Sequence, residues 1–302
     1  MSDSILSRYL KPEVLTRLAG RHLTPRGLVS GNLSGKHSSP RSGFAIEFAG
    51  HREYVPGDDP RHIDWRVFFT RDKFVIKQYS TESNMNCHLV LDVSASMRYG
   101  DGAEQKLLYA AQAATTLAHA VVLQNDRVSL ATIDEEIRGF VPSGSSFGQI
   151  VRMTEHLEQL APTGKTKMAD CLMHLAARYS QREIVMIFSD FLTDLPALES
   201  AVQRLRYQQH EVVLFHVLHH DELAFDFDDP LQLVGIESPE EIRVQPDEIR
   251  TEYLEALRRF TRQLDDLCAR NRAERVEVDT RRDLAEVLID YLNHRSRLNR
   301  GR

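Results

Sequence analysis

The sequence predicts an α/β fold: a doubly wound, mostly parallel sheet with one antiparallel edge hairpin, preceded by a small amino-terminal appendage. Three observations predict it. The run from Glu183 to Ser189 is almost unbroken in apolar, β-favouring residues, as in a strand buried on both faces, and 211–218 repeats that pattern. Amphipathic stretches of helical period alternate with such strands. Strand-helix-strand alternation of this length requires right-handed crossovers, which sandwich a parallel sheet between helices. A chain of 302 residues accommodates this as an appendage over 1–82, a sheet domain over 83–293 and a flexible tail over 294–302.

Taken in order, 4–19 sets Ile5, Leu6, Tyr9, Leu10, Val14, Leu15 and Leu18 on a helical period interrupted near Pro12, with Gly20 as the stop. The Gly-, Ser- and Pro-rich stretch 21–42 reads as an extended loop. Within 43–79, Pro56-Gly57 marks a turn, Asp58 and Asp59 are placed to accept from the backbone or from Arg61, and 73–79 alternates as a strand. Six basic and five acidic residues nearly cancel over 51–77, so paired Arg and Asp groups that stiffen a loop are expected there instead of a basic nucleic-acid patch. Asn86 to Asp92 is a strand, 103–124 a helix with Leu107, Ala111, Ala114, Ala118 and Val121 on one face, and 127–133 with 137–141 a hairpin. Helices follow at 147–160, 167–179 and 196–208, around the strand at 183–189 and before the one at 211–218. Residues 221–242 interrupt the rhythm with eight acids and no Lys or Arg, with a strand at 231–236. A long helix at 248–271, a strand at 276–278 and a helix at 284–292 complete the order, and the Arg-rich end from Arg295 is expected to be frayed and exposed.

Composition narrows the function. Apolar residues at 42% and charged residues at 27% exclude a disordered or fibrous chain. A net charge of −6 gives no electrostatic basis for nucleic acid as the partner. Cys87, Cys171 and Cys268 are too scattered for a metal site or a disulfide framework and read as buried thiols. The first 20 residues hold no signal-like apolar run, and no stretch approaches the roughly 20 apolar residues that span a bilayer. The expected compartment is the cytoplasm, with any membrane role only indirect, through partners.

The chemistry concentrates after the first buried strand. Asp92, Ser94 and Ser96 form D-x-S-x-S at its carboxyl end, where doubly wound sheets place their ligands. Asp190 ends a second strand in the same way, and Thr166 follows the Pro162-Thr163-Gly164 turn before a helix. Carboxylates and small hydroxyls suit a hard divalent cation, which takes oxygen donors at short range. Together these elements resemble the metal-ion-dependent adhesion site of a von Willebrand factor type A domain. The segment R-x-Y-x-P-G-D-D-x-R-x-I-D-W at 52–65, followed by Thr70-Arg71 and a strand leading into D-x-S-x-S, is more specific. It resembles the signature of the domain of unknown function 58 family over roughly 26–293.

That resemblance implies Asp92, Ser94 and Ser96 as metal contacts, with Thr166 and Asp190 direct or through water. The ion would be Mg2+, with Mn2+ or Ca2+ as alternatives. One coordination position would be left for a partner's acidic side chain. It also implies work beside a MoxR-type AAA+ ATPase and a client protein, although many family members carry amino-terminal membrane helices that this sequence lacks. The reading is therefore a non-enzymatic, metal-dependent protein-interaction module. A metal-dependent hydrolase using Asp92 and Asp190 is the alternative.

Other patterns fail on their own terms. P-T-G-K-T at 162–166 resembles a Walker A end, but Gln159 stands where its first glycine belongs. An aspartyl phosphatase wants a second acid where Ser94 stands. Asp226, Asp228 and Asp229 open like a calcium loop, but Leu231 replaces its glycine. His216, His219 and His220 with Asp221 have zinc-like composition, yet on a strand only His216 and His220 would share a face.

Overall fold

In this computed structural model the described residues are 5–25, 34–38, 47–55, 58, 63–71, 73–80, 82–83, 85–160, 166–180, 182–227, 229–234 and 241–300. The chain divides into two compact units, one made of residues 1–26 with 86–302 and the other of 27–85. Residues 5–25 thus fold with the sheet, where the sequence grouped them with the appendage.

Helices α1 (Ile5–Tyr9) and α2 (Pro12–Leu18) are broken at Pro12, which sits at a helical N-terminus because it has no N–H to donate there. The smaller unit contains β1 (Ser34–Ser38), β2 (Glu47–Glu53), α3 (Trp65–Arg71), β3 (Val75–Ser80) and β4 (Glu82–Ser83). Two antiparallel pairs, β1 with β4 and β2 with β3, organise it. The loop expected over 21–42 therefore holds a strand, and α3 was not foreseen. Trp65, Phe68 and Phe74 pack on one another, with Phe68 stacked on Phe74 at 4.4 Å, and this aromatic contact brings α3 to the start of β3. Asp64 accepts from His51 Nε2 at 2.9 Å and from the Arg66 N–H at 3.1 Å, and Asp58 from the Val55 N–H at 3.0 Å. The expected roles of Pro56-Gly57, Asp59 and Arg61 lie outside the described residues.

The larger unit continues with β5 (Asn86–Asp92), α4 (Lys106–Leu123), β6 (Arg127–Ile133), β7 (Ile137–Gly144), α5 (Phe147–Glu158) and α6 (Met168–Ala176). Then come β8 (Ile184–Ser189), α7 (Leu195–Tyr207), β9 (Glu211–Leu218), α8 (His220–Ala224), β10 (Leu231–Val234) and β11 (Glu241–Val244). It ends with α9 (Pro246–Arg270), β12 (Glu274–Asp279) and α10 (Leu284–Arg300). The six-stranded sheet has the order β12-β9-β8-β5-β6-β7, parallel throughout except for β7, which returns antiparallel to β6 at one edge.

Every residue of β8, and all but the first of β5, is buried, which explains why these strands read as continuous apolar runs. On one face Val90, Val185, Ile187, Val212 and Leu214 meet Leu172 and Leu175 of α6, Leu198 and Val202 of α7, and Leu264 and Leu267 of α9. On the other, α4 covers the middle of the sheet, and Phe188 stacks on Phe215 at 4.5 Å while Tyr291 of α10 meets Phe215 edge-on at 5.0 Å.

Two expectations at the carboxyl end need correcting. The strand near 231 pairs only with β11, as a separate hairpin, because its neighbour is local and not the edge of the main sheet. The end beyond 294 is not a frayed tail, since α10 continues to Arg300. Arg295 is fully buried, with Nη2 at 2.8 Å from Glu211 and Nε donating to the Thr24 carbonyl at 2.6 Å. Those partners are remote in sequence, so the local charge pattern misled.

Candidate metal centre

β5, β8 and β9 run out at the same edge of the parallel sheet, and the residues just beyond them build the site. Asp92 closes β5 and is fully buried. Its Oδ1 accepts the Ser94 N–H at 2.9 Å, which turns the chain, and its Oδ2 accepts the Ser189 hydroxyl at 2.6 Å. Extended backbone at Ser94, followed by a 3-10 turn over Ala95–Arg98, brings the Ser94 and Ser96 hydroxyl oxygens to 3.2 Å of each other. Gly100 ends the loop at φ +93°, and a Cβ there would stand 2.6 Å from the His219 ring, so only glycine allows that approach.

Thr166 reaches this edge by a different route. The Lys167 N–H donates to the Asp134 carbonyl at 2.9 Å, tying the segment before α6 to the end of β6. The Thr166 hydroxyl is shielded from solvent and has no hydrogen-bond partner. A ligand there would offset the cost of leaving a buried polar atom unpaired, a cost the Thr116 and Thr280 hydroxyls share elsewhere in the fold.

Asp190 follows β8, its Oδ1 accepting the Leu192 N–H at 3.2 Å. Its Oδ2 is held at 2.9 Å by the ammonium of Lys106, the first residue of α4. Lys106 is itself fully buried and is also 2.9 Å from Glu222 Oε1 on α8. Burial works against its charge, but Asp190 and then Glu222 outweigh burial and raise its pKa. Asp92 is pushed up to about 6, first by burial and then by the Asp190 charge, against the downward pull of its bonds from Ser189 and Ser94.

The structure thus joins Asp92, Ser94 and Ser96 directly and places Asp190 close enough to act on Asp92 electrostatically. Two carboxylates and two neighbouring hydroxyls are hard-oxygen donors of the kind that fit a Mg2+-class ion, with Asp190 shared with Lys106, and the Thr166 hydroxyl makes no hydrogen bond to any of them. Among the described residues, no three His, Cys, Asp or Glu side chains gather as a metal centre. Sequence reasoning missed Lys106, Glu222 and Ser189. The available signal was a lone lysine opening a helix otherwise rich in Ala and Leu.

The remaining candidates find local employment. β9 ends at Leu218, so His216 lies in the sheet, whereas His219 caps α8 and His220 bonds to Asp279 at 2.9 Å. The expectation that His216 and His220 share a strand face fails because the chain turns into α8 between them. Residues 161–165 of the Walker-like segment lie outside the described residues. The cysteines are buried and unbridged, with burial pushing Cys87 and Cys268 up to about 12. Near the opposite, amino-terminal end of the sheet, His88 stands between Ser129 Oγ at 2.6 Å and Glu183 Oε2 at 2.8 Å. All three are buried, so this Ser-His-Glu line ties β5 and β6 to the residue that precedes β8 and offers no open nucleophile.

Known proteins resemble this chain in sequence and in fold. "Uncharacterized protein Mb1516" of Mycobacterium bovis and "Uncharacterized protein Rv1480" of Mycobacterium tuberculosis are each 26% identical over 210 residues, 68% of this chain and 66% of theirs. The chain therefore spans just under two thirds of the length of these relatives. Among solved structures, an aerotolerance-related membrane protein from Bacteroides fragilis is similar at 14% identity, covering 70% of this chain and all of that one, with a TM-score of 0.46. The VWA domain of SpRpn10 is similar at 12% identity, covering 68% and 95%, with a TM-score of 0.40. Both likenesses are distant and concern the fold alone. The family model described as "Protein of unknown function DUF58" matches residues 50–263, more than two thirds of the sequence, and the chain belongs to that family.

Proposed function

We propose that this protein is a non-enzymatic protein-interaction module whose docking point is a divalent cation held by Asp92, Ser94, Ser96, Thr166 and Asp190. The α/β sheet, of the von Willebrand type A kind, supports the interaction role. The observation that carries the metal reading is the loop after β5, where Asp92 accepts the Ser94 N–H and the Ser94 and Ser96 hydroxyls stand 3.2 Å apart; the partnerless, buried Thr166 hydroxyl adds to it. A bound Mg2+, Mn2+ or Ca2+ would supply an electrophilic centre for a partner's carboxylate. The chain's own residues do the rest: Ser189 and the Ser94 N–H hold the Asp92 carboxylate in one orientation, and the Leu192 N–H with Lys106 fixes Asp190.

Docking is favoured over the hydrolase alternative by the residues themselves: Ser94 stands where an aspartyl phosphatase needs its second acid. The partner we assign is a MoxR-type AAA+ ATPase acting on a client protein. The net charge of −6 disfavours nucleic acid. No helix among the described residues is long and apolar enough to cross a membrane, and the place of work we assign is the cytoplasm, with membrane association only through partners.

Asp92→Ala is expected to retain the wild-type circular dichroism spectrum and to lose EDTA-sensitive capture of the ATPase in a pull-down with Mg2+. Capture that survives both the substitution and EDTA would sink the metal-dependent reading. Mg2+-dependent turnover of a phosphoester or peptide, abolished by the same substitution, would replace it with the hydrolase.

A further inference from the structure

A fully buried lysine is expensive to keep, because an ammonium loses several kcal/mol of hydration unless carboxylates replace it. Lys106 meets that cost with two, Asp190 and Glu222, each at 2.9 Å. One of them belongs to the proposed metal set. The Lys106 ammonium thus sets a positive charge against one of the proposed metal ligands and divides the Asp190 carboxylate. Without Lys106, Asp190 would turn to the ion undivided.

From this geometry we infer that Lys106 is a tethered internal cation that holds Asp190 in place and weakens the site's affinity for a free divalent ion. This deepens, and rests on, the metal reading above. Lys106 is a positioning residue and acts through Asp190. Glu222 sets its strength: by partly neutralising the ammonium, it limits the repulsion felt by an incoming ion. The consequence is a centre that takes its ion firmly only when a partner's carboxylate supplies the missing negative charge, so that ion and partner bind cooperatively.

The test is titration of the full-length protein with MgCl2 by calorimetry, with thermal shift as a second readout. Lys106→Met is expected to bind Mg2+ at least tenfold more tightly than wild type, because a repelling charge is gone. A merely structural lysine predicts the reverse, since its loss would release Asp190 and loosen the site. Glu222→Gln is expected to bind Mg2+ several-fold more weakly. It keeps the α8 cap, where Glu222 accepts from the His219 N–H at 2.7 Å and glutamine can do the same. Should Lys106→Met fail to fold, Glu222→Gln decides alone, and unchanged or tighter Mg2+ binding by it overturns the inference. If wild type binds Mg2+ and Asp92→Ala does not, yet Lys106→Met binds equally or more weakly, the role of Lys106 falls and the metal reading stands. If none of these proteins shows saturable Mg2+ binding, both fall.

Discussion

His210 shows how a single buried side chain sets the pH response of this fold. It is fully buried after α7, accepts the Glu183 N–H on Nδ1 at 3.3 Å, and leaves Nε2 without a partner. The ring is therefore held neutral, and its pKa falls from 6.5 to about 4, chiefly through burial and against the attraction of Glu183. A depressed folded pKa means that the unfolded chain takes the proton first. The stability His210 contributes is complete above about pH 6.5 and is lost as pH falls toward 4, a loss of about 3 kcal/mol. His216, lowered to about 4 by burial, adds a loss of the same sign. Asp92, raised to about 6, works the other way, gaining stability as pH falls from 6 to its unfolded value of 3.8. Replacing His210 with Gln is expected to flatten the fall in urea-unfolding free energy between pH 6.5 and 4 by about 3 kcal/mol. An unchanged slope would mean the ring is hydrated.

At the scale of elements, α10 depends on one residue. Its last turns carry Arg295, Arg297 and Arg300, a composition that suits solvent, yet Arg295 lies under the sheet edge beside Glu211 of β9 and Glu274 of β12. It also holds the segment after α2 through the Thr24 carbonyl and donates to the Tyr291 hydroxyl at 3.2 Å. Removing one member of a buried ion pair strands the other, at a cost of about 3–5 kcal/mol. Arg295→Met is expected to lower the urea-unfolding free energy by about that amount, with the loss concentrated in α10 and its neighbours in hydrogen exchange. A loss within ~0.5 kcal/mol would place the arginine among ordinary surface charges. The same lesson holds for α8, whose short capped turn carries Glu222 to Lys106 and gave no periodic signal of its own.

For the molecule as a whole, the division into two units leads to a construction experiment. Residues 5–25 pack with α4, α5 and α10, inside the larger unit, while 27–85 forms its own. Replacing 27–85 with a Gly/Ser linker is therefore expected to leave a sheet unit that unfolds in one cooperative transition and retains its far-UV circular dichroism. A broad, non-cooperative transition would show that the two units stabilise each other. The family match at 50–263 begins within the smaller unit and ends within α9, so the shared sequence spans both units.

The sheet was legible because strands buried on both faces must be apolar along their whole length, and a parallel sheet must then alternate with covering helices. Asp92, Ser94 and Ser96 were legible because two-residue spacing in one loop is preserved on folding. Asp190 was legible as the polar end of an apolar strand. Local pattern could not show what arrives from a distance. Lys106, Glu222 and Ser189 enter the site from the starts of two helices and the end of a strand, and their partners lie far off in sequence: Lys106 is 84 residues from Asp190, Glu222 is 116 from Lys106 and Ser189 is 97 from Asp92. Sequence decided which oxygen-bearing side chains stand at the carboxyl ends of the buried strands. Tertiary structure alone decided that one of those carboxylates is already shared with a buried ammonium, because desolvation makes a charge choose its partner and only the folded chain sets which partner is within reach.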